Sequence, residues 1–119
     1  MFKGIFQGDT MSVMNLKNGA TRNLDLKQVN ELLQIIDGKV SRRKRYLKIA
    51  LLAALKYDHD KGGGYLTSSE VSQRARKYTN KNTDMSSRVA GNLLGNHYRL
   101  GILDSTNSPP YQYRLRDGV

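Results

Sequence analysis

The chain has no cysteine and no tryptophan, and its 119 residues include two histidines and two prolines. Without cysteine it forms neither disulfides nor thiolate metal sites, which fits a cytoplasmic protein. Two histidines without cysteine provide no set of nucleophile, base and orienting residue of the kind that hydrolases use. We therefore expect no enzymatic activity, no cofactor, no bound metal and no small-molecule ligand.

Long hydrophobic runs are also missing. The longest apolar stretch, residues 46–55, contains Lys48 and is far shorter than the roughly 18 residues of a membrane-spanning helix. The N-terminus MFKGIFQGDT lacks the layout of a secretion signal. These absences predict a cytoplasmic protein without a membrane partner, associated with the nucleoid if the host is prokaryotic. A hydrophobic content of 38% in 119 residues is enough for one domain with a modest core.

Acidic residues are scarce relative to basic ones. Ten Asp and Glu face twenty Lys and Arg, which gives a net charge of +10. The excess is small over residues 1–40 and large over residues 41–119. Such a chain attracts polyanions, meaning nucleic acid or an anionic membrane. Many small proteins are basic, however, so this signal needs support from the fold.

The first half of the chain contains two predicted helices. Residues 1–24 form an N-terminal arm or a short hairpin with Asn18-Gly19 as its turn. A helix over residues 25–36 has the capping-box pair Asp25 and Gln28 and a stop at Gly38. Its predicted apolar stripe consists of Leu26, Val29, Leu32, Leu33 and Ile36.

A second helix is expected from Ser41 to about Tyr57, and its second half is apolar on nearly every side. Together with the stripe of the first helix, this surface exceeds what one small core needs, which predicts a homodimer. The RRKR run at 42–45 would form the first turn. It is a phosphate-binding patch, a localisation-like run or a solvated basic turn, although cations there oppose the helix dipole.

The second half begins with a capping box, Thr67 with Glu70, and a helix that leads to the polar turn TNKNT. A further helix over residues 84–99, capped by Asp84 or Thr83, should stop at Gly101. A hairpin follows: a strand from Ile102, a turn, and a returning strand over 111–115. In that strand one face carries the residues Tyr111, Tyr113 and Leu115, and an exposed basic face carries Gln112, Arg114 and Arg116.

The helix over 84–99 separates into two sides at 100° per residue. The predicted core side consists of Met85, Val89, Ala90, Leu93, His97 and Leu100. The opposite side consists of Ser87, Arg88, Gly91, Asn92, Gly95, Tyr98 and Arg99. Each interior glycine costs about 1 kcal/mol relative to alanine. Three explanations stay open: close approach to DNA, tight packing against protein, or a broken helix.

The order of elements and three of the motifs resemble a winged helix-turn-helix domain over residues 25–116, with 117–119 as a tail. The motifs are LTSSEVSQRA for the first helix of the pair, SSRVAGNLL for the recognition helix and RLGILDSTNSPPYQYRL for the wing. The resemblance implies a mainly α fold of the α+β class, with a helical core and a C-terminal two-stranded β-wing. It also implies double-stranded DNA as partner, with the second helix in the major groove and the wing on the backbone or minor groove.

The side chains suit that implied role. Arg88 and Asn92 can pair with guanine and adenine edges, and Gly91 and Gly95 would let the backbone come close to the duplex. Phosphate contacts are expected from Arg74, Arg76, Lys77, Lys81, Ser86, Ser87, Arg99, Arg114 and Arg116, with additional contacts from Arg42, Arg43, Lys44 and Arg45. The most direct function is that of a small homodimeric transcriptional regulator.

Two other functions remain open: an RNA-binding or ribosome-associated winged helix, and a protein–protein adaptor. Exposed aromatic residues beyond Tyr98 look scarce, which disfavours recognition of single-stranded RNA. His97 lies on the apolar side and is expected in the core. The DHD run at 58–60 lacks a third ligand cluster, and the GGG at 62–64 is not followed by the Gly-Lys-Ser/Thr of a phosphate-binding loop.

Overall fold

The computed structural model describes residues 21–58 and 64–119. Over these residues the chain forms a small α+β domain with four α-helices and a three-stranded antiparallel sheet. In chain order the elements are α1 (Leu26–Ile36), α2 (Arg45–Tyr57), β1 (Leu66–Thr67), α3 (Ser68–Ala75), α4 (Ser87–Arg99), β2 (Leu103–Ser105) and β3 (Gln112–Leu115), with short 3₁₀ turns at Arg76–Tyr78 and Asn82–Met85.

Helix α1 has the predicted ends. Asp25 accepts a hydrogen bond from the Gln28 amide, and the Gln28 side chain accepts one from the Asp25 amide, so the capping box is complete. Gly38 follows with a φ of 76°. The predicted stripe is partly wrong: Leu26 is 43% exposed, whereas Ile35 is buried.

Residues 21–24 belong to the domain and are not a free arm. Thr21 and Leu24 are buried, the Arg22 amide donates to the Tyr78 carbonyl at 2.8 Å, and Asn23 donates to the Lys77 carbonyl at 2.6 Å. The boundary expected at residue 25 is therefore too late. The arm or hairpin expected over residues 1–20 lies outside the described residues.

Helix α2 begins at Arg45, four residues later than expected. Lys44 precedes it in the left-handed region with a φ of 50°, so the first three residues of the RRKR run form the approach to the helix and only Arg45 lies in its first turn. From Leu47 to Leu55 every residue is buried within one copy of the chain. The apolar surplus on which the homodimer was predicted is therefore largely used inside the monomer, and the homodimer stays a prediction without that support.

Helix α3 joins the sheet to the helical layer through Thr67. This residue pairs with Gln112 of β3, and its hydroxyl accepts the Glu70 amide while its own amide donates to the Glu70 side chain. The predicted capping box is thus present. Because the same residue ends β1 and caps α3, the start of this helix is tied directly to the hairpin.

Helix α4 begins at Ser87, and its cap is Ser86, whose hydroxyl accepts the Val89 amide at 3.1 Å. The caps predicted at Asp84 or Thr83 are wrong because both residues lie in the preceding 3₁₀ turn. At the other end, Gly101 has a φ of 84°. Its amide donates to the Tyr98 carbonyl, and the Ile102 amide donates to the His97 carbonyl, which is the Schellman pattern.

The sheet has the order β1-β3-β2, so β3 is the central strand. Leu103 pairs with Leu115, Asp104 with Arg114, and Leu66 with Tyr113. The predicted hairpin is confirmed, and the short strand before α3 pairs with it. The core lies between this sheet and the helices, around the buried stretch of α2 from Leu47 to Leu55.

Candidate nucleic-acid interface

The polar side of α4 lies at the surface. Its exposed residues are Ser87, Arg88, Asn92, Tyr98 and Arg99, while Gly91 and Gly95 are half-buried. Behind this face, Ala90, Leu94 and His97 are buried in the core. The predicted division of the helix is confirmed except that Leu94 was missed and Leu100 is 44% exposed.

The two glycines of α4 are not required by contacts within the described chain. A Cβ atom at Gly91 would lie 4.0 Å from the Ser68 Cβ, and one at Gly95 would lie 3.6 Å from the Arg99 Nη1. Both are ordinary van der Waals distances. The helix also runs without a break from Ser87 to Arg99, so the broken-helix explanation is wrong. Tight packing of these two glycines against other described residues is not supported either.

Two of the predicted phosphate contacts on and after α3 have internal roles. Arg76 donates through Nε to the Met85 carbonyl at 3.2 Å, where the buried Ser72 hydroxyl also donates, and this holds the second 3₁₀ turn against α3. Lys77 pairs with Asp58 and lies over the Tyr78 ring. Arg74 is half-buried, and Lys81, in the connection between the two 3₁₀ turns, is exposed.

The hairpin arginines share one carboxylate. Asp104 lies 3.0 Å from Arg116 Nε and 3.8 Å from an Arg114 nitrogen, and the Arg114 guanidinium also lies 5.0 Å from the centre of the Tyr65 ring. The exposed basic face predicted for β3 is therefore partly neutralised. Both arginines keep solvent-accessible surface, so phosphate contact remains open to them at a reduced local charge.

The basic approach to α2 lies beside α4. Arg42, Arg43 and Lys44 are exposed, and a surface depression of about 390 Å³ is lined by Arg43 and Lys44 on one side and by Asn92 on the other. Arg45 is less available, with Asp37 at 3.9 Å. Sequence reasoning had no signal for this proximity, because about 50 residues separate the two segments.

The cations of this approach repel one another. Burial, Arg45 and Arg43 together lower the pKa of Lys48, whose Nζ donates to the carbonyl and the hydroxyl of Ser41 at 2.8 and 2.9 Å. Together with the positive end of the α2 dipole, these side chains give the depression an excess of positive charge, of which the Asp84 carboxylate in its lining offsets a part. An anion bound there would relieve the repulsion.

On its other flank, α4 faces the hairpin across a groove of about 400 Å³. The groove is lined by Gly95, Tyr98, Arg99, Ser105, Thr106, Asn107, Tyr111 and Tyr113. Tyr98 and Tyr111 are 46% and 49% exposed. The expectation that exposed aromatic residues are scarce is therefore wrong at this place, because the hairpin brings its tyrosines next to the one on α4.

His97 is a core residue, as predicted. Its Nδ1 donates to the Leu93 carbonyl at 2.7 Å, and its buried Nε2 has no hydrogen-bond partner among the described residues. Burial lowers the pKa of the imidazole, against an opposing contribution from the Leu93 hydrogen bond. Asp58, the first residue of the DHD run, accepts hydrogen bonds from Lys77 and from the Tyr78 hydroxyl. The other two residues of the run lie outside the described chain.

Within residues 21–58 and 64–119, no group of three or more His, Cys, Asp or Glu side chains could hold a metal ion. Over the same part of the chain, none of the helices has the length and apolarity to cross a bilayer.

Comparisons with protein families, curated proteins and solved structures find no match to this chain.

Proposed function

We propose that this chain is a winged helix-turn-helix protein that binds double-stranded DNA through α4 and regulates transcription by occupying a promoter. The observation that carries the proposal is the exposed side of α4. It combines two glycines that the fold does not require with Arg88, Asn92 and Arg99, and a basic segment and a hairpin flank it.

The arrangement of elements supports the proposal. Helices α3 and α4 form the helix-turn-helix pair, with the Ser72 hydroxyl fixing the connection between them. The β2–β3 hairpin follows α4 directly and pairs with β1, as a wing would. In this fold the exposed side of the second helix enters the major groove.

Readout would come from Arg88 and Asn92, which are exposed one turn apart. An arginine pairs with the O6 and N7 atoms of guanine, and an asparagine with the N6 and N7 atoms of adenine. Gly91 lies beside them on the edge of this side that faces the start of α3, and its missing side chain would let the helix backbone come closer to the duplex there. Ser87 and the first amides of α4 would meet a phosphate at the helix N-terminus.

Affinity would come chiefly from phosphate contacts on both flanks of α4. Besides Arg88, seven predicted DNA contacts carry exposed charge, two of them, Lys77 and Arg116, next to a carboxylate: Arg42, Arg43, Lys44, Lys77, Lys81, Arg99 and Arg116. If most of them neutralise phosphates, affinity should fall roughly 10³-fold between about 50 and about 200 mM salt. A gel shift or fluorescence polarisation series over that range tests this, and an affinity that barely changes would overturn the proposal.

The residue-level test compares Arg88→Ala with Lys27→Ala, an exposed cation on α1. Loss of a bidentate base contact costs about 1–3 kcal/mol, or roughly five- to 150-fold in affinity for the preferred site. Arg88→Ala should therefore weaken specific binding and relax preference at one base pair, while Lys27→Ala should leave both unchanged. Equal effects of the two variants would show that only net charge matters.

A second candidate, an RNA-binding protein, is favoured by the tyrosines of the groove beside α4, since aromatic side chains stack on unpaired bases. Competition separates the two. Unlabelled duplex DNA should displace a bound duplex more effectively than structured RNA does, and the reverse order would favour the RNA-binding function.

A further inference from the structure

The groove between α4 and the hairpin has the chemistry of a nucleobase site. Two half-exposed tyrosine rings, Tyr98 and Tyr111, stand at its walls, and Tyr113 meets Tyr98 edge-to-face with ring centres 6.5 Å apart. Aromatic faces left partly open to solvent offer stacking surfaces for any base.

Charge and polar groups in the same groove suit a nucleotide. Arg99 supplies a guanidinium, while the described residues that line the groove include no Asp or Glu. Ser105, Thr106 and Asn107 add hydroxyl and amide groups that can hydrogen-bond to base edges or sugar. A planar ring attached to a negatively charged chain matches this combination better than a neutral or cationic ligand does.

Gly95 keeps the groove open. It lies in the groove lining, and its helical backbone does not demand a glycine, because an added Cβ would meet only Arg99 Nη1 at 3.6 Å. A larger side chain at this position would project between the helix and the hairpin. The glycine thus leaves space on the hairpin side of α4, whereas Gly91 leaves space near the start of α3.

The hairpin side of the groove is held in place before any ligand arrives. The Thr106 amide donates to the Gln112 carbonyl and the Gln112 amide to the Thr106 hydroxyl, both at 3.0 Å. Tyr113 packs partly against the core. These contacts fix the hairpin backbone beside the groove, so binding a base there would require little further ordering of that backbone.

We propose that this groove binds an unpaired nucleobase from a single-stranded extension of the DNA whose duplex portion lies on α4. The inference rests on the proposed function and adds a substrate preference to it: a junction of double- and single-stranded DNA. The duplex places the strand end beside the hairpin, Arg99 contacts a phosphate, and Tyr98 and Tyr111 stack on the base.

The experiment measures fluorescence polarisation with a blunt duplex, the same duplex carrying a short 5′ or 3′ extension, and a matched extension without bases. Stacking of one base is worth about five- to 150-fold in affinity. We expect a gain in that range for one of the two base-bearing extensions and almost none for its abasic counterpart. An equal gain from the abasic extension would overturn the inference, because only phosphate would then be recognised.

Variants test which residues provide the increase in affinity that the base-bearing extension gives. Tyr111→Ala should remove it and leave blunt-duplex affinity unchanged, and Tyr111→Phe should retain it, because a phenyl ring stacks as well as a phenol. Gly95→Leu should also remove it, with circular dichroism showing that the helix is kept. A gain that survives Tyr111→Ala and Tyr98→Ala alike would overturn the inference.

The two proposals fail in different ways. A single-stranded oligonucleotide with the sequence of the extension is tested as well. If it binds and the blunt duplex does not, the duplex-binding function fails while the groove still binds a base. Because the chain has no tryptophan, quenching of tyrosine emission reports this binding. If the blunt duplex binds and no extension improves it, only the groove inference fails. If neither binds, both are overturned.

Discussion

The glycines of this domain fall into two groups that the fold treats differently. Gly38 and Gly101 follow helices with φ values of 76° and 84°, a conformation that other residues adopt only with strain. Gly91 and Gly95 lie inside a regular helix, where alanine would fit without a close contact. The backbone explains the first pair. Neither the backbone nor a close contact with other described residues calls for the second pair, and each of these glycines lowers helix propensity relative to alanine.

The largest stability effect is expected at Gly101. A Cβ there would be held in the left-handed region and would lie 3.4 Å from Arg116 Nη1. Gly101→Ala should therefore destabilise the domain by about 1–2 kcal/mol, as measured by urea unfolding. Gly38→Ala, which meets nothing within 4 Å, is the matched control and should cost less. If Gly101→Ala left the urea midpoint of unfolding unchanged, the glycines that follow helices would be no more required by the fold than those inside α4.

At Gly91 we expect substitution by alanine to raise the stability of the domain, in contrast to Gly101. Gly91→Ala should stabilise the domain by up to about 1 kcal/mol, because helix propensity rises and the new methyl group meets only the Ser68 Cβ at 4.0 Å. The same substitution should weaken binding of blunt duplex DNA. A variant that is more stable and binds equally well would show that no close approach occurs at this position.

Gly95→Ala should give a similar or slightly smaller stabilisation, since the Arg99 guanidinium must accommodate the methyl group at 3.6 Å. Its effect on blunt-duplex binding should be weaker than that of Gly91→Ala, because Gly95 faces the hairpin groove. Titrations of both alanine variants against one duplex measure the difference. A larger loss for Gly95→Ala would reverse the assignment of the two positions.

The smallest effect near neutral pH concerns His97, on the buried side of α4 opposite the glycines. Because burial lowers the pKa of its imidazole in the folded protein, the unfolded chain binds the proton more readily. Its contribution to stability is complete well above pH 6.5, the ordinary pKa of histidine, and is lost as the pH falls, by up to about 0.4 kcal/mol at pH 6.5. Urea unfolding at pH 7.5, 6.5 and 5.5 should show this loss in the wild type and a smaller one in His97→Leu.

Local signals in the sequence predicted the local structure well. Both capping boxes, the glycine stop after α4 and the alternation along the hairpin depend on residues within a few positions of each other, and all are found. The start of α4 was misplaced because the 3₁₀ turn at Asn82–Met85 contains residues that also favour helix caps. Leu94 was missed because the apolar side of α4 is wider than the assumed stripe.

Contacts between distant segments could not be predicted in the same way. The pairing of Asp104 with both hairpin arginines depends on strand register, and the position of residues 42–44 beside α4 depends on how α2 packs. These contacts reduce the charge available at the hairpin and add charge on the opposite flank. Counting basic residues along the chain gives the total charge but not where it is free to act.

Thr67 gives the domain a mechanical property. It is paired with Gln112 in the sheet and caps α3, so the hairpin cannot pivot away without breaking the start of the helix that packs on α4. In the proposed complex the protein would therefore offer a nearly fixed spacing between α4 and the hairpin. The duplex would have to adjust its groove width and curvature to match, and flexible base-pair steps would bind better than stiff ones even where no side chain touches them.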